Sequence, residues 1–178
     1  MNDSELRADC RRCAGLCCVA LAFDRSALFA LDKPAGAPCP HLTRHDRCAI
    51  HAARAERGYA GCIGYDCLGA GQRITAEVLP GLSWRDHPDA ARALFDAFRA
   101  LRDVHELTLL LGTAKRLALS PRRRRQCDEL LTALRPERAW SAAELSAFER
   151  SELPDRVREF LRSLRGAAAP LRRQTDTP

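Results

Sequence analysis

The sequence has little lysine, few aromatic residues and no long apolar run. Two of its 29 basic residues are lysines, Lys33 and Lys115, and the other 27 are arginines. Aromatic residues make up only 6% of the chain. The richest apolar stretch, 107–119, is interrupted by Gly112, Lys115 and Arg116. We therefore expect no contact with a membrane, because a spanning helix needs about 18 consecutive apolar residues.

The N-terminus also lacks the features of a secretion signal. It reads MNDSELRADCRRC, with acidic residues and no apolar segment that could form the core of such a signal. We therefore expect a cytoplasmic protein, in a reducing compartment where thiols stay unpaired. One alternative for the cysteines is a disulfide framework, their usual role in a small secreted domain. The other is that they are unligated core or reactive thiols.

Cysteine, by contrast, is abundant and concentrated in one segment. Eight of the nine cysteines lie in the first 67 residues: Cys10, Cys13, Cys17, Cys18, Cys39, Cys48, Cys62 and Cys67. Thiolates bind zinc and iron-sulfur centres, and a tetrahedral site takes four of them. Eight cysteines therefore suffice for two sites, or for one site with spares. The same segment is rich in proline and glycine, so bound metal would supply order that apolar burial cannot.

The spacing of these cysteines leaves the identity of the metal open. Cys10-x2-Cys13 is a turn that points two sulfurs at one ion. Cys17 and Cys18 are adjacent, which makes it awkward for both to bind one tetrahedral ion. They therefore bind different metals, or one of them is a packing residue and not a ligand. The x4 spacing before Cys67 suits zinc or an iron-sulfur cluster equally.

Two histidines are possible additional ligands. His51 follows Cys48 by three positions, within reach of the same ion, and His41 follows Cys39 by two. The ninth cysteine, Cys127, falls on the apolar face of a predicted helix and is expected to be a packed core thiol.

The second half of the chain has helical periodicity. Apolar residues recur every three or four positions over 91–111, which predicts a long amphipathic helix that kinks or ends at Gly112. Ser120-Pro121 begins a second helix, a Ser141-to-Glu144 capping box begins a third, and a fourth follows Pro154 and ends near Gly166. In the first half, we expect short helical turns at 26–31 and 50–57 and a short strand at 75–79.

We therefore predict a mainly α protein, in which an irregular, metal-stapled cysteine-rich N-terminal module precedes a small bundle of about four helices. The predicted domains are a cysteine-cluster module over 1–80, a helical domain over 81–166 and a disordered tail over 167–178.

The net charge of +6 raises the possibility of a nucleic-acid partner. Arginines are clustered at 122–125 and in the tail at Arg162, Arg165, Arg172 and Arg173. Because no aromatic residues that could stack on bases are interleaved with them, we interpret both clusters as solvated surface.

The spacing of the first seven cysteines resembles the zinc/iron-chelating cysteine-cluster family. That family's pattern is C-x2-C-x2-C-C, then C, then C-x-I-Y-x-x-R-P-x-x-C, and this chain has Cys48-Ala49-Ile50-His51 with Arg54. It departs from the pattern in three ways: Cys13 and Cys17 are separated by three residues, Ala55 replaces the proline, and the gap from Arg54 to Cys62 is longer. The resemblance implies metal binding and leaves open how the ligands divide between sites.

A closer resemblance reaches to about Gln72. Cys17-Cys18-Val19-Ala20-Leu21, the stretches 29–36 and 38–42, and 61–72 with its Asp66-Cys67-Leu68-Gly69 are similar to the N-terminal cysteine-rich region of actinobacterial pentapeptide-repeat proteins. The repeats themselves, runs of A-(D/N)-L-x-x, are absent here. The DNA-mimic role of some repeat proteins is therefore not implied.

The sequence thus predicts a zinc or iron-sulfur protein that is a non-catalytic interaction or regulatory module with an unknown protein partner. One alternative is an iron-sulfur enzyme that methylates lysine on other proteins, because some proteins of the related cysteine-cluster family resemble such enzymes. The sequence contains no glycine-rich cofactor loop that would support methyl transfer. The other alternative is a basic nucleic-acid adaptor.

Overall fold

The computed structural model describes residues 6–165 and is mainly helical, as predicted. Its α-helices are α1 (Leu16–Ala20), α2 (Gly61–Gly64), α3 (Ala70–Arg73), α4 (Pro88–Ala114), α5 (Pro121–Leu134), α6 (Ala142–Arg150) and α7 (Leu153–Ser163). A 3-10 turn covers Cys10–Arg12 and a π-helical turn covers Ile74–Val78. Strand pairing in the described residues consists of two isolated bridges, Phe23 with Lys33 and Leu42 with Cys48. The tail predicted over 167–178 lies outside the described residues.

Helix α4 is the central element of the fold. It packs against α5, α6 and α7, and also against α1 and α3. Its inward face consists of apolar residues at three- and four-residue spacing, including Leu94, Phe98, Leu101, Val104 and Leu111, each at most 1% exposed. The predicted amphipathic helix is therefore confirmed, and it continues through Gly112 to Ala114. Within the described part of the chain, no helix combines the length and apolar character needed to cross a membrane.

The starts of the later helices follow the predicted capping residues. Ser120 Oγ accepts a hydrogen bond from the Arg123 backbone N–H at 3.4 Å, and Pro121 occupies the first turn of α5. At α6, Ser141 Oγ accepts from the Glu144 N–H at 3.3 Å, and the Glu144 carboxylate accepts from the Ser141 N–H at 2.9 Å. This reciprocal pair satisfies two backbone donors that the helix leaves open.

The apolar core is continuous between the cysteine-rich segment and the helices. Leu16 and Val19 of α1, Ala70 of α3 and Ile74 are fully buried and belong to the same cluster as the inward face of α4. Burial of these side chains therefore stabilises both halves of the chain. Whether the halves fold separately, with a boundary near residue 80, stays a prediction.

Two local predictions were wrong. The strand expected at 75–79 is helical, because α3 runs directly into the π-helical turn and Thr75 Oγ1 donates to the carbonyl of Gly71 at 3.0 Å, one turn earlier. The turn expected at 26–31 is a bent loop, in which Ser26 and Phe29 exchange backbone hydrogen bonds of 2.9 and 3.4 Å. The stretch 50–57 does form successive hydrogen-bonded turns.

Candidate metal centre

All nine thiols are unpaired. Eight lie in the N-terminal half, and Cys17 Sγ lies 3.9 Å from Cys18 Sγ. The ninth, Cys127, is fully buried in α5, where its thiol donates to the Leu111 carbonyl at 3.6 Å. The prediction that Cys127 is a packed core thiol is confirmed.

The thiols do not form a closed coordination sphere. Within residues 6–165, no three His, Cys, Asp or Glu side chains are arranged as a group that could hold a metal ion. The metal-stapled module expected from the sequence is therefore not shown. The eight thiols are nevertheless close enough for the charge on one to change the pKa of others. We describe them as two overlapping groups of four, linked through Cys18, whose charge also acts on Cys10 and Cys17.

The first thiol group consists of Cys10, Cys13, Cys17 and Cys67. Burial raises the pKa of Cys13 to about 11, and negative charge on Cys67 and Cys10 acts in the same direction. Partial desolvation, then the charge of Cys67 and then that of Cys18 raise the pKa of Cys10. The pKa of Cys17 is raised by its hydrogen bond to Cys18, by burial, and by the charges of Cys18, Cys13 and Cys67.

The sulfur of Cys13 lies in a cradle of backbone groups. The backbone N–H groups of Leu16 and Gly15 donate to it, which lowers its pKa against the larger effect of burial. On its other side lies Gly71, where an added Cβ would lie 2.5 Å from Cys13 Sγ. Amide hydrogen bonds to sulfur stabilise a thiolate and are a regular feature of metal-thiolate sites.

Both ends of the first thiol group are held by long-range contacts. The guanidinium of Arg47 donates to the carbonyl of Cys10 and, at 2.6 Å, to that of Arg11. Next to Cys67, Leu68 has a positive φ of 51°, which is costly for a leucine. The buried ring of His105 on α4 donates to the Leu68 carbonyl at 2.7 Å and fixes this turn on the helical core.

The second thiol group consists of Cys18, Cys39, Cys48 and Cys62. Burial raises the pKa of Cys62 to about 11, and negative charge on Cys18, Cys39 and Cys48 adds to the effect. Burial also raises the pKa of Cys39, with further contributions from Cys18 and Cys48. The backbone N–H of His41 donates to the Cys39 sulfur and opposes that rise.

Backbone pairing brings three members of the second thiol group together. The N–H of Cys39 donates to the carbonyl of Cys18 at 2.9 Å. Leu42 pairs with Cys48 in an antiparallel bridge, so the turn after Cys39 returns the chain beside it.

Arg54 links the fourth member of the second thiol group, Cys62, to the turn at His51 through two hydrogen bonds. Its Nη1 donates to the Cys62 carbonyl at 3.0 Å and its Nε to the His51 carbonyl at 2.8 Å. The positive charge of Arg54 lowers the pKa of Cys62, Cys18 and Cys10. Arg54 therefore both positions one cysteine and favours thiolate in both groups.

Cys17 and Cys18 join the two groups. A hydrogen bond from Cys17 lowers the pKa of Cys18 to about 7, and the charges of Lys33 and Arg54 act in the same direction. The two residues are adjacent on the short helix α1. Whether they serve different metals, or one of them is a packing residue, stays a prediction.

Lys33 places a buried cation beside the thiols. The residue is only 4% exposed, and its Nζ donates to the carbonyls of Val19 at 3.1 Å, Pro34 at 3.1 Å and Ala37 at 2.8 Å. Burial lowers its pKa, and negative charge on Cys39, Cys18 and Cys17 opposes that. A buried ammonium is costly without negative partners, and thiolates would supply them.

Tyr65 contributes an unused donor next to the first thiol group. Its hydroxyl is buried and has no hydrogen-bond partner in the described part of the chain. Burial raises the pKa of Tyr65, and so does negative charge on Cys17 and Cys67. A phenol close to thiolates can donate to sulfur.

The two histidines have other surroundings. His41 Nε2 is hydrogen-bonded to the Tyr59 hydroxyl at 3.1 Å, with the rings edge to face at 5.0 Å. His51 is exposed. Their role as ligands stays a prediction, and the structure brings neither into a group with three or more ligand side chains within the described residues.

Sequence analysis did not identify Lys33, Tyr65 or Gly71 as parts of the site. Lys33 had one signal, since it is one of two lysines in a chain of 27 arginines. Gly71 and Tyr65 had none, because their roles depend on contacts with Cys13, Cys17 and Cys67 that only the folded chain creates.

Comparison with known proteins adds one relative. The chain is 43% identical over 110 residues to the uncharacterized protein YybG of Bacillus subtilis (strain 168). The matched stretch covers 62% of this chain and 39% of YybG, so the chain corresponds to less than half of that protein. No family model and no solved structure matches the chain. YybG is itself uncharacterized, so the match supplies no function.

Proposed function

We propose that this protein binds metal through two four-cysteine sites, one formed by the first thiol group and the other by the second. The observation that carries this is the concentration of eight unpaired thiols in one segment, where the charge on each thiolate acts on its neighbours. Four thiolates per site is the ligand number of structural zinc sites and of iron-sulfur clusters. Metal coordination would require the four sulfurs of each thiol group to move closer to one another, so that all of them contact the metal.

The surroundings of the thiols fit a bound metal thiolate. Four thiolates around one Zn²⁺ have a formal charge of about −2. Lys33 and Arg54 are the cations whose charges act on the second thiol group, and the hydroxyl of Tyr65 is available to the first. Backbone amides already donate to Cys13 and Cys39. Each of these groups stabilises thiolate over thiol.

Zinc and an iron-sulfur cluster both fit this donor set. Either would supply binding free energy that orders the loops between residues 10 and 67, because the ligands come from widely separated parts of the chain. With all four ligands of each site supplied by cysteine, no coordination position is left for a reacting molecule. We therefore propose a structural or regulatory role, as a non-catalytic module that presents a surface to a protein partner.

The alternatives from the sequence gain no specific support from the described residues. Lysine methylation would need a cofactor and substrate site, and none of the contacts around the thiols indicates one. A nucleic-acid adaptor would use the arginine cluster at 122–125, but Arg123 and Arg124 are directed at the carbonyls of Ser163 and Lys115, each at 3.5 Å.

Anaerobic purification followed by elemental analysis and an absorption spectrum tests the proposal. We expect zinc, or else iron with inorganic sulfide and a broad visible absorption band from iron-sulfur charge transfer. A chain that contains no metal, and that stays folded and unchanged in a strong chelator, would contradict the proposed function.

A further inference from the structure

A polar cavity of about 340 Å³ lies on the helical side of the molecule. Its walls come from three parts of the fold: Arg73 at the end of α3, His105 on α4, and the connection from α5 to α6 around Arg135 and Trp140. None of the eight cysteines lines it. Its volume is at the lower end of the range for small-molecule sites, so it suits a ligand of mononucleotide size or smaller.

Three arginines line this cavity, and two have carboxylate partners. Arg138 forms a two-bond pair with Glu144, with distances of 2.9 and 2.5 Å. Arg73 is paired with Glu77, with Nη2 2.9 Å from the carboxylate.

The third arginine, Arg135, is different. Its Nε is buried without a hydrogen-bond partner, and no carboxylate pairs with its guanidinium in the described part of the chain. Leaving a charged donor unsatisfied in a buried position costs free energy. The opposing charge in the wall is Glu137, which is exposed. An anion that enters the cavity would pair with the outer Nη groups of the Arg135 guanidinium, because Nε itself is shielded from solvent.

Trp140 gives the cavity an aromatic wall. Its ring packs edge to face on Phe148 of α6, with ring centroids 5.9 Å apart, and is thereby held in place. An aromatic wall beside a planar guanidinium is a combination that binds flat groups carrying a phosphate or carboxylate.

We infer that this cavity binds a small aromatic anion, whose oxyanion pairs with Arg135 and whose ring packs on Trp140. Phosphate and carboxylate are both oxyanions that can pair with a guanidinium, so either group fits the cavity. The inference is independent of the metal sites, so it can fail while the proposed function holds, and the reverse.

The two tryptophans provide a direct test with an internal control. In a ¹⁵N–¹H spectrum of the full chain, purified with its metal, Trp84 and Trp140 give two indole N–H signals. Trp84 donates its indole N–H to the carbonyl of Ala14 at 2.9 Å and does not line the cavity. Adenosine monophosphate and benzoate are the phosphate and carboxylate probes, each titrated to about 10 mM, and adenosine is the uncharged control.

We expect the Trp140 signal to shift saturably with at least one of the two anions while the Trp84 signal stays in place. Arg135→Gln should weaken that binding at least about tenfold, since it removes a charge-assisted contact. Glu137→Gln should tighten it, and Arg122→Gln, at an exposed site outside the cavity, should leave it unchanged. The preference between the anions identifies the oxyanion source.

Several results would overturn the inference. These are no shift of Trp140 with either anion, equal shifts of both indoles, equal binding of adenosine, or an Arg135→Gln variant that binds like the original chain. If Arg135→Gln fails to fold by circular dichroism, Arg135→Lys keeps the charge without the planar fork and should show weakened binding; unchanged binding would also overturn it.

Discussion

The Lys33 ammonium lies in the protein interior, bonded to three backbone carbonyls beside the junction of the two thiol groups. Neutral thiols would leave this cation without a compensating charge, whereas thiolates bound to metal would provide it. Lys33 therefore belongs to the proposed metal centre as a positioning and charge-balancing residue.

Replacing Lys33 by methionine should weaken metal binding about 10- to 100-fold, the usual effect of removing a group that supports the ligands. Lys115→Met is a matched control, because Lys115 is the other lysine and pairs at 2.5 Å with Asp128 of α5, outside the cysteine-rich segment. Competition with a chromophoric chelator measures both affinities. Equal affinities for the two variants would show that Lys33 has no role in the site.

Gly71 and Gly112 form a second matched pair. An alanine Cβ at Gly71 would lie 2.5 Å from Cys13 Sγ, so Gly71→Ala should displace that sulfur and lower the free energy of unfolding by about 1–3 kcal/mol. At Gly112, inside α4, nothing lies within 4 Å, so Gly112→Ala should raise it by about 0.5–1 kcal/mol. Urea unfolding measures both, and a neutral Gly71→Ala would argue against close packing around Cys13.

At the scale of the elements, the arginines at the start of α5 present an apparent conflict. Positive charge at a helix N-terminus opposes the helix dipole. Two of the four have a structural use, since Arg123 reaches the Ser163 carbonyl at the end of α7 and Arg124 reaches the Lys115 carbonyl after α4. These cations therefore complement the C-terminal ends of neighbouring helices.

Single glutamine substitutions should separate these roles. Arg123→Gln and Arg124→Gln should each destabilise the chain by up to about 1 kcal/mol, whereas Arg122→Gln and Arg125→Gln should be neutral or slightly stabilising. Thermal unfolding distinguishes the pairs. The fourfold variant should bind nucleic acid no more weakly than the original chain, and a large, salt-dependent loss would favour the adaptor function instead.

Local patterns predicted the helices better than they predicted the loops. Apolar periodicity and the caps Ser120 and Ser141 identify α4, α5 and α6, because these signals depend on neighbouring residues. The stretch 75–79 has strand-forming residues, yet burial of Ile74 on the core and the continuation of α3 determine its helical form. Contacts between distant residues overrode local preference there.

For the candidate site too, the sequence predicted which residues take part but not how the fold arranges them. The sequence identified all eight N-terminal cysteines as candidate ligands, since their number and density are visible in the chain itself. Their placement in space depends on the Leu42–Cys48 bridge and on contacts between distant residues, such as the hydrogen bond from His105 to Leu68.

At the scale of the whole molecule, metal and pH should act together on stability. Burial raises the pKa of Cys13 and Cys62 from 9.0 to about 11. In the metal-free chain, the folded state therefore holds these protons more tightly than the unfolded state. The resulting stabilisation is fully present below about pH 9 and is lost as the pH rises through about 11.

Urea unfolding of the chelator-treated chain between about pH 8 and 11 checks this. The free energy of unfolding should fall over that range, and it should fall less in Cys13→Ala, because one of the shifted thiols is absent. A pH dependence identical in the two proteins would mean that Cys13 does not titrate as described. Metal-bound chain should have a flatter profile, since its ligands remain deprotonated throughout.

The number of metal centres per chain is the most direct test of the central claim. Native mass spectrometry of anaerobically purified protein should show two centres in the original chain and in the Cys127→Ser control. Cys13→Ser and Cys62→Ser should each retain one centre, and the double variant should retain none. An original chain that carries only one centre, which is absent from both Cys13→Ser and Cys62→Ser, would contradict the assignment of the eight cysteines to two four-thiolate sites. So would an original chain without metal.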